Sequence, residues 1–454
     1  MQFKQLQNEF ERVQADVAQG PILPSVTVDE IRSHLADHYQ FDNALPLDEV
    51  VQDAERMLRS WHVQMTHPRY LGLFNPAVTL PSVIAETLVA MYNPQLASWR
   101  SSPAGNEIER HTLSWLGAKF GLPPESIATF TSGGSEANLS AVAVALNHAF
   151  AEYSEHGLHG LPGRPALYLT DEAHHGFIKI AHTTGLGRRA VRPVKTDRRL
   201  RLDVDSLRRQ VHLDRGAGWV PFMVVGTAGT TGAGVIDPLA EIAHFCREEK
   251  LWFHADAAWG GAAILSPTLK ANLAGIEHAD SITCDAHKWL SVPMGCGMFF
   301  CRHRESVARA FHADVTYLSG KQAGPVFDPL TNSMQWSRRF IGLKLFMALA
   351  NLGESGYAAM IDHQAHLGNV LREALAATGW KIVNDTPLPL VCFTREGLDA
   401  ANFLAALHRR QIAWMSEARV HGAPVLRACI TNFRTTEADI HQIVDEMNQL
   451  LGRH

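Results

Sequence analysis

The chain has 454 residues, 46% of them hydrophobic and 19% charged, with 41 basic against 46 acidic side chains and a net charge of −5. That length suits one large domain plus a smaller one. The mixed charge gives no electrostatic reason to expect nucleic acid or an acidic membrane as a partner.

The opening stretch "MQFKQLQNEFERVQADV" lacks the apolar segment of a signal peptide. Instead Phe3, Leu6, Phe10, Val13 and Val17 form a helical stripe that ends before Gly20-Pro21. No apolar run anywhere approaches the roughly 18 residues needed to cross a bilayer. Residues 1–75 read as helices and turns. From 76 to 345 short apolar runs alternate with helix-length segments: "IATF" (127–130), "ALYL" (166–169), "FMVV" (222–225), "LWFHA" (251–255) and "GMFF" (297–300). Strands this continuously apolar predict a mostly parallel sheet covered on both faces. Residues 319–335, rich in Gly-Pro and Asp-Pro steps, predict a long loop. A long helix beginning near Arg338 and a C-terminal α+β region follow. The last helix starts after Thr436, where "TEAD" has capping-box spacing, and buries Ile440, Ile443, Val444, Met447 and Leu450. The six cysteines (246, 284, 296, 301, 392, 429) contain no CxxC pair. They are too sparse for a disulfide framework, and a cytoplasmic protein is expected.

Four stretches carry chemistry-bearing residues. "TSGGSEAN" (131–138) stands between an apolar strand and an Ala-rich helix. Gly133, Gly134 and Ser135 can let a backbone approach an anion and offer it the free N–H groups of a helix start. The stretch is neither a Walker loop nor a GxGxxG fingerprint. In "DEAHHGF" (171–177), His174 or His175 can stack on a flat ring or simply cap the next helix. In "HADAAWGG" (254–261), Asp256 ends a buried strand, where open α/β sheets bind ligands. A buried carboxylate there needs a cation, which a structural salt bridge or a protonated pyridine nitrogen can supply. In "DAHKWL" (285–290), Lys288 sits between an imidazole and an indole. It is either a snorkelling lysine at a strand end or an amine kept for Schiff-base chemistry. Between Asp256 and Lys288 there is room for a helix and a return strand. Together the four provide a phosphate cradle, a stacking imidazole, a carboxylate and a Schiff-base lysine. These are the parts needed to hold pyridoxal 5′-phosphate.

On these motifs, and on "HPRYLG" (67–72), "SPAGNEIE" (102–109), "GTTGAGVIDP" (229–238) and "VLRACITN" (425–432), the chain resembles the group II pyridoxal-phosphate-dependent amino-acid decarboxylases. That group includes aromatic-L-amino-acid, glutamate, cysteine-sulfinate and 2,4-diaminobutyrate decarboxylases. The resemblance implies an α/β protein of fold type I, aspartate-aminotransferase-like, with a small C-terminal α+β domain. It divides the chain into an N-terminal helical segment packing on a partner subunit (1–75), a large cofactor-binding domain (76–345) and a small domain (346–454). It also implies a homodimer with active sites at the interface.

By resemblance, Lys288 forms the Schiff base, Asp256 partners the pyridinium nitrogen and His174 stacks on the ring. Gly133, Gly134, Ser135 and His287 contact the phosphate end, while Thr231 and Ala258 line the cofactor. Arg427 matches the arginine that binds the substrate α-carboxylate in glutamate-type members, and Asn106 matches a substrate-side polar position. The implied reaction is decarboxylation of an L-amino acid to its amine through a quinonoid intermediate.

Two departures bear on the substrate and product. Arg100, in "ASWRSSPAG" (97–105), lies by the segment that forms the distal pocket in relatives, where diaminobutyrate-type members carry an acid. A cation there suits an anionic side chain, whereas Trp289 resembles the aromatic-substrate branch, so both classes stay open. Second, Phe327 stands where glutamate-type relatives have a loop tyrosine that supplies a proton. This leaves open an oxidative or transaminating outcome that ends in an aldehyde. A non-catalytic, cofactor-bearing interaction protein is the third reading.

Overall fold

The computed structural model describes residues 3–312 and 328–452. Three amphipathic helices open the chain: α1 (Phe3–Gln19), α2 (Val28–His38) and α3 (Leu47–Ser60). Of the stripe on α1 only Val17 is buried, and Phe3 is half exposed. Helices α4 (Leu80–Tyr92) and α5 (Pro103–Lys119) lead into the main sheet.

That sheet is built from β1 (Ile127–Thr131), α6 (Gly134–Ala149), the one-turn α7 (Tyr153–His156), β2 (Arg164–Thr170), α8 (Gly176–Thr183), β3 (Val191–Val194), α9 (Val204–Gly216) and β4 (Trp219–Thr227). It continues through α10 (Leu239–Glu249), β5 (Trp252–Asp256), β6 (Ser281–Asp285), β7 (Gly297–Cys301) and α11 (Arg304–Phe311). The strand order is β1-β7-β6-β5-β4-β2-β3. Only β7 runs antiparallel to its neighbours; the other strands share one direction. The strands alternate between two apolar clusters: Ala166, Tyr168 and Phe253 face one, Leu167, Leu169 and Trp252 the other. Period-two alternation inside a continuously apolar strand marks a sheet covered on both sides. Strand β3, "VRPV", escapes a reading by apolar runs because of Pro193, which is tolerated here since β3 is an edge.

One expected element takes another form. Between Asp256 and Lys288 the return strand is β6, but no α-helix precedes it. Three 3₁₀ turns, Gly260–Leu265, Lys270–Leu273 and Ile276–His278, fill the connection. Pro267 interrupts the run. Gly275, at φ 100°, turns it sharply where a Cβ would lie 2.2 Å from the Ala240 amide nitrogen.

Beyond the main sheet, α12 (Leu343–Ala377) is broken at Gly353, where φ is 66°. A four-stranded antiparallel sheet follows: β8 (Lys381–Ile382), β9 (Leu390–Thr394), β10 (Ser416–Val420) and β11 (Ala423–Cys429), ordered β10-β11-β9-β8. It packs with α13 (Ala400–Arg409) and α14 (Glu437–Leu451) around a core of its own. At the start of α14, Thr436 and Asp439 form the reciprocal capping box, and all five expected apolar residues are buried.

Candidate active site

The carboxyl ends of β1, β2, β4, β5 and β6 lie along one edge of the main sheet because these strands share a direction. This edge is where open α/β sheets present ligand-binding loops. Gly133–Ser135 follow β1, His174 follows β2, Thr231 follows β4, Ala258 follows β5, and His287 and Lys288 follow β6.

At the start of α6 the amides of Gly134 and Ser135 and the Ser135 hydroxyl make no hydrogen bond among the described residues. A Cβ on Gly134 would lie 2.8 Å from Oδ2 of Asp285 and 3.4 Å from Cβ of Ala258, so a glycine is what lets the helix begin this close. His287 stands with Cε1 beside Gly133 and accepts at Nδ1 from the Cys296 amide at 3.1 Å, which leaves its proton on Nε2, 3.8 Å from Asp285 Oδ2. Burial lowers the His287 pKa. His174 accepts at Nδ1 from the Gly176 amide at 3.1 Å. The ring keeps an open face to solvent, yet the protein around it desolvates it enough to lower its pKa. Asp256, Lys288, His175 and Asp285 all lie within electrostatic range of it.

Asp256 is buried, and its partners are neutral: Asn138 Nδ2 donates to Oδ2 at 3.0 Å and the Ala258 amide to Oδ1 at 3.2 Å. No cation among the described residues forms an ion pair with it, so the salt bridge that would explain a buried carboxylate is missing. Lys288 instead pairs with Asp285, Nζ to Oδ2 at 3.0 Å. The second oxygen of that buried Asp285 has no partner.

Arg427, on β11, is buried. It donates from Nε to the Thr231 carbonyl at 2.9 Å and from Nη1 to the Gly72 carbonyl at 2.7 Å and Ser416 Oγ at 3.2 Å. Its Nη2 has no partner among the described residues. Phe74 lies between Arg427 and Lys288 and stacks on Trp259 at 4.7 Å.

Three expected residues stand apart. Asn106 is buried at the start of α5 and donates to the carbonyls of Ser98 and Ser102. Arg100 is exposed, and neither residue hydrogen-bonds or ion-pairs with Lys288, Asp256 or Arg427. Phe327 lies outside the described residues. Trp289 is fully buried, donating from Nε1 to Gln364 Oε1 at 2.6 Å, so its likeness to the aromatic branch is one of sequence rather than of pocket wall. Sequence reasoning passed over Asp285, Asn138, His254 and Phe74. The first three sit inside the quoted motifs as flanking residues, and Phe74 lies just past "HPRYLG".

A model of the pyridoxal-dependent decarboxylase conserved domain matches residues 30–396. The L-2,4-diaminobutyrate decarboxylase of Acinetobacter baumannii is 34% identical over 72% of this chain and 68% of its own length. The aromatic-L-amino-acid decarboxylase of Bacillus atrophaeus is 27% identical over 95% of this chain and 90% of its own length. Among solved structures, mouse CSAD is 25% identical with a TM-score of 0.89, covering 98% of each chain. The chain therefore belongs to the pyridoxal-dependent decarboxylase family, carboxy-lyases that work with pyridoxal 5′-phosphate. The groups on this sheet edge fit that cofactor: a primary amine, a buried carboxylate without a cation, and unpartnered donors at a helix start. No helix among the described residues is long and apolar enough to cross a membrane.

Proposed function

We propose that this chain decarboxylates an L-amino acid to the corresponding amine, with Lys288 bonded to the cofactor and Arg427 binding the substrate α-carboxylate. The observation that carries this reading is the buried Arg427 guanidinium, which keeps Nη2 unpartnered beside the ring it shares with Lys288. An orphaned, buried, charged donor is costly unless a ligand completes it. A carboxylate is the acceptor that a guanidinium suits best.

When bound, the cofactor supplies an electron sink for the pair left behind as CO₂ departs. Asp256 would hold a proton on the ring nitrogen, and no cation among the described residues is ion-paired to it. His174 would stack on the ring, and Thr231 and Ala258 would line it. Gly133, Gly134, Ser135 and His287 would take the phosphate end, combining helix-start amides with an imidazole N–H. Asp285 receives the Lys288 ammonium whenever that amine is free. Phe74, backed by Trp259, walls the amine and the guanidinium with aromatic carbon, which strengthens both charges' interactions.

The exposed apolar residues of the N-terminal helices, of the α2–α3 connection and of α4, including Leu47, Phe41, Met91 and Tyr92, support a homodimer. A subunit interface is also where Arg100 can meet a substrate side chain. Six free, buried cysteines support a reducing, cytoplasmic setting. A second reading, release of an aldehyde, is favoured by Phe327 in place of a proton-donating tyrosine.

Incubation with a panel of acidic, basic and aromatic L-amino acids, scoring CO₂, amine, aldehyde and peroxide, tests both. CO₂ matched by amine supports the first reading, and CO₂ matched by aldehyde supports the second. Absence of CO₂ from every member removes both.

A further inference from the structure

A second group of buried polar residues lies behind Asp256, on the side away from the sheet edge. Trp252, His254 and Asp256 are alternate residues of β5, so their side chains point to one face, the face that α6 covers. Ser281 on β6 is the register partner of His254. Asn138 reaches down from α6. All five are buried, with 0–4% of their surface exposed, so water cannot substitute for any missing partner.

The directions in this group are set by its two ends together. An ionised carboxylate only accepts, which turns Asn138 Nδ2 toward Asp256 and Oδ1 toward His254 Nε2. An indole N–H only donates, and Trp252 Nε1 gives its proton to Ser281 Oγ at 2.8 Å. The single Ser281 hydroxyl proton is then free to go to His254 Nδ1, 2.8 Å away. An imidazole that accepts at Nδ1 carries its proton on Nε2. That proton points at Asn138 Oδ1 at 3.0 Å. With its oxygen so engaged, the Asn138 amide turns Nδ2 toward Asp256 Oδ2, also at 3.0 Å. The chain thus runs one way, Trp252 to Ser281 to His254 to Asn138 to Asp256, and each of the three middle groups is used in it once as donor and once as acceptor. Burial keeps His254 neutral near pH 7, so the network delivers a donor to Asp256 without a competing positive charge.

We propose that Asn138 is a positioning residue for Asp256, its amide locked by the Trp252–Ser281–His254 relay so that the carboxylate meets the cofactor's ring nitrogen in one fixed orientation. The inference rests on the reading of Asp256 as the partner of that nitrogen. Without the Asn138 donor, Oδ2 loses its hydrogen bond and only the Ala258 amide still holds Oδ1, so the carboxylate can rotate and the proton on the ring nitrogen is held less firmly. Asn138 touches neither cofactor nor substrate in this scheme.

Two measurements test it. In ¹⁵N-histidine-labelled apoprotein, His254 should show a protonated Nε2 and a bare Nδ1. A protonated Nδ1 in the wild type reverses the relay and overturns the proposal, with no variant needed. In holoprotein reconstituted with ring-¹⁵N cofactor, Asn138→Leu should move the ring-nitrogen resonance from the protonated toward the neutral value. Its kcat should fall by about 10-fold, the scale of one hydrogen bond to a charged group. Asp256→Asn is the reference. If Asp256→Asn leaves that resonance in place, the parent reading of Asp256 fails. If Asp256→Asn moves it and Asn138→Leu does not, the relay alone is overturned.

Discussion

Lys288 and Arg427 converge on one aromatic ring: Nζ of the lysine lies 5.7 Å and Cζ of the arginine 5.0 Å from the centre of Phe74. They come from distant parts of the chain, Lys288 from the turn after β6 and Arg427 from the small sheet. The site therefore needs both sheets. Arg427 should lose its value if its planar fork is replaced by a point charge. Arg427→Lys should lower kcat/KM by about 10-fold to 100-fold, the range of a charge-assisted hydrogen bond, chiefly through KM. An unchanged KM for every substrate in the panel removes Arg427 from carboxylate binding.

Lys288 should be the point of covalent attachment. Borohydride treatment of the yellow holoprotein should fix the cofactor's mass onto the peptide that contains Lys288. Lys288→Ala should abolish this, and because it strips the buried Asp285 of its ion-pair partner it should also lower the unfolding midpoint of the apoprotein. A cofactor adduct on any other lysine ends the assignment.

The four motifs were legible because each places a chemistry-bearing residue just past an apolar strand, and parallel strands bring such ends together. The relay behind Asp256 was not. A histidine inside "LWFHAD" reads as core, and Ser281 becomes its neighbour only through β5–β6 pairing across a connection without regular periodicity. The α1 stripe was legible as a helix, but nothing in its periodicity says that only Val17 is covered within one chain. Arg100 and Asn106 were drawn into the site by likeness of sequence, and one chain leaves both outside its hydrogen bonds. Asn106 spends its amide on the turn that starts α5.

Asp256→Asn should cost more in turnover than in cofactor affinity. The donors proposed for the phosphate end would remain, whereas the charge proposed to hold a proton on the ring nitrogen would be gone. General acid–base support of this kind is worth about 10²-fold or more in rate. Cofactor retention after dialysis, set beside kcat, separates the two. A variant that keeps full turnover takes Asp256 out of the mechanism.

Stability should fall on mild acidification. Burial lowers the pKa of both His67 and His254 to about 4, from 6.5 for an ordinary imidazole. Between those values the unfolded chain takes up protons that the folded chain refuses. Their contribution is complete above pH 6.5 and is lost as pH falls toward 4. Asp237 opposes them: burial raises its carboxyl from 3.8 to about 6, so the folded chain binds that proton first and gains relative stability as pH falls through 6. Two imidazoles against one carboxyl leave a net loss of a few kcal/mol, at about 1.4 kcal/mol per pKa unit. Urea unfolding of the apoprotein at about pH 7.5 and about pH 5 should show it. His254→Gln should narrow the gap, and a gap that is absent or reversed rules the account out.

The last prediction concerns Phe327, and it rests on sequence alone. Once CO₂ has left, the substrate's Cα needs a proton if the product is to be an amine. A positioned acid typically contributes ~10²–10⁴-fold to such a step. Phenylalanine matches the bulk of tyrosine and has no proton to give. Protonation at Cα then falls to water or to His174, whose lowered pKa leaves it mostly neutral near pH 7 and a poor source of protons. A slow proton lengthens the time in which the electron pair can be protonated elsewhere or captured by oxygen, and both routes lead to a carbonyl product. The wild type should therefore form measurable aldehyde beside amine, or lose active cofactor during turnover. Phe327→Tyr should shift the ratio toward amine by about 10-fold or more and slow the loss. Amine and aldehyde quantified from the same reaction, under air and under nitrogen, check this. Stoichiometric amine from the wild type, with a ratio that Phe327→Tyr leaves unchanged, would show that residue 327 does not steer the proton.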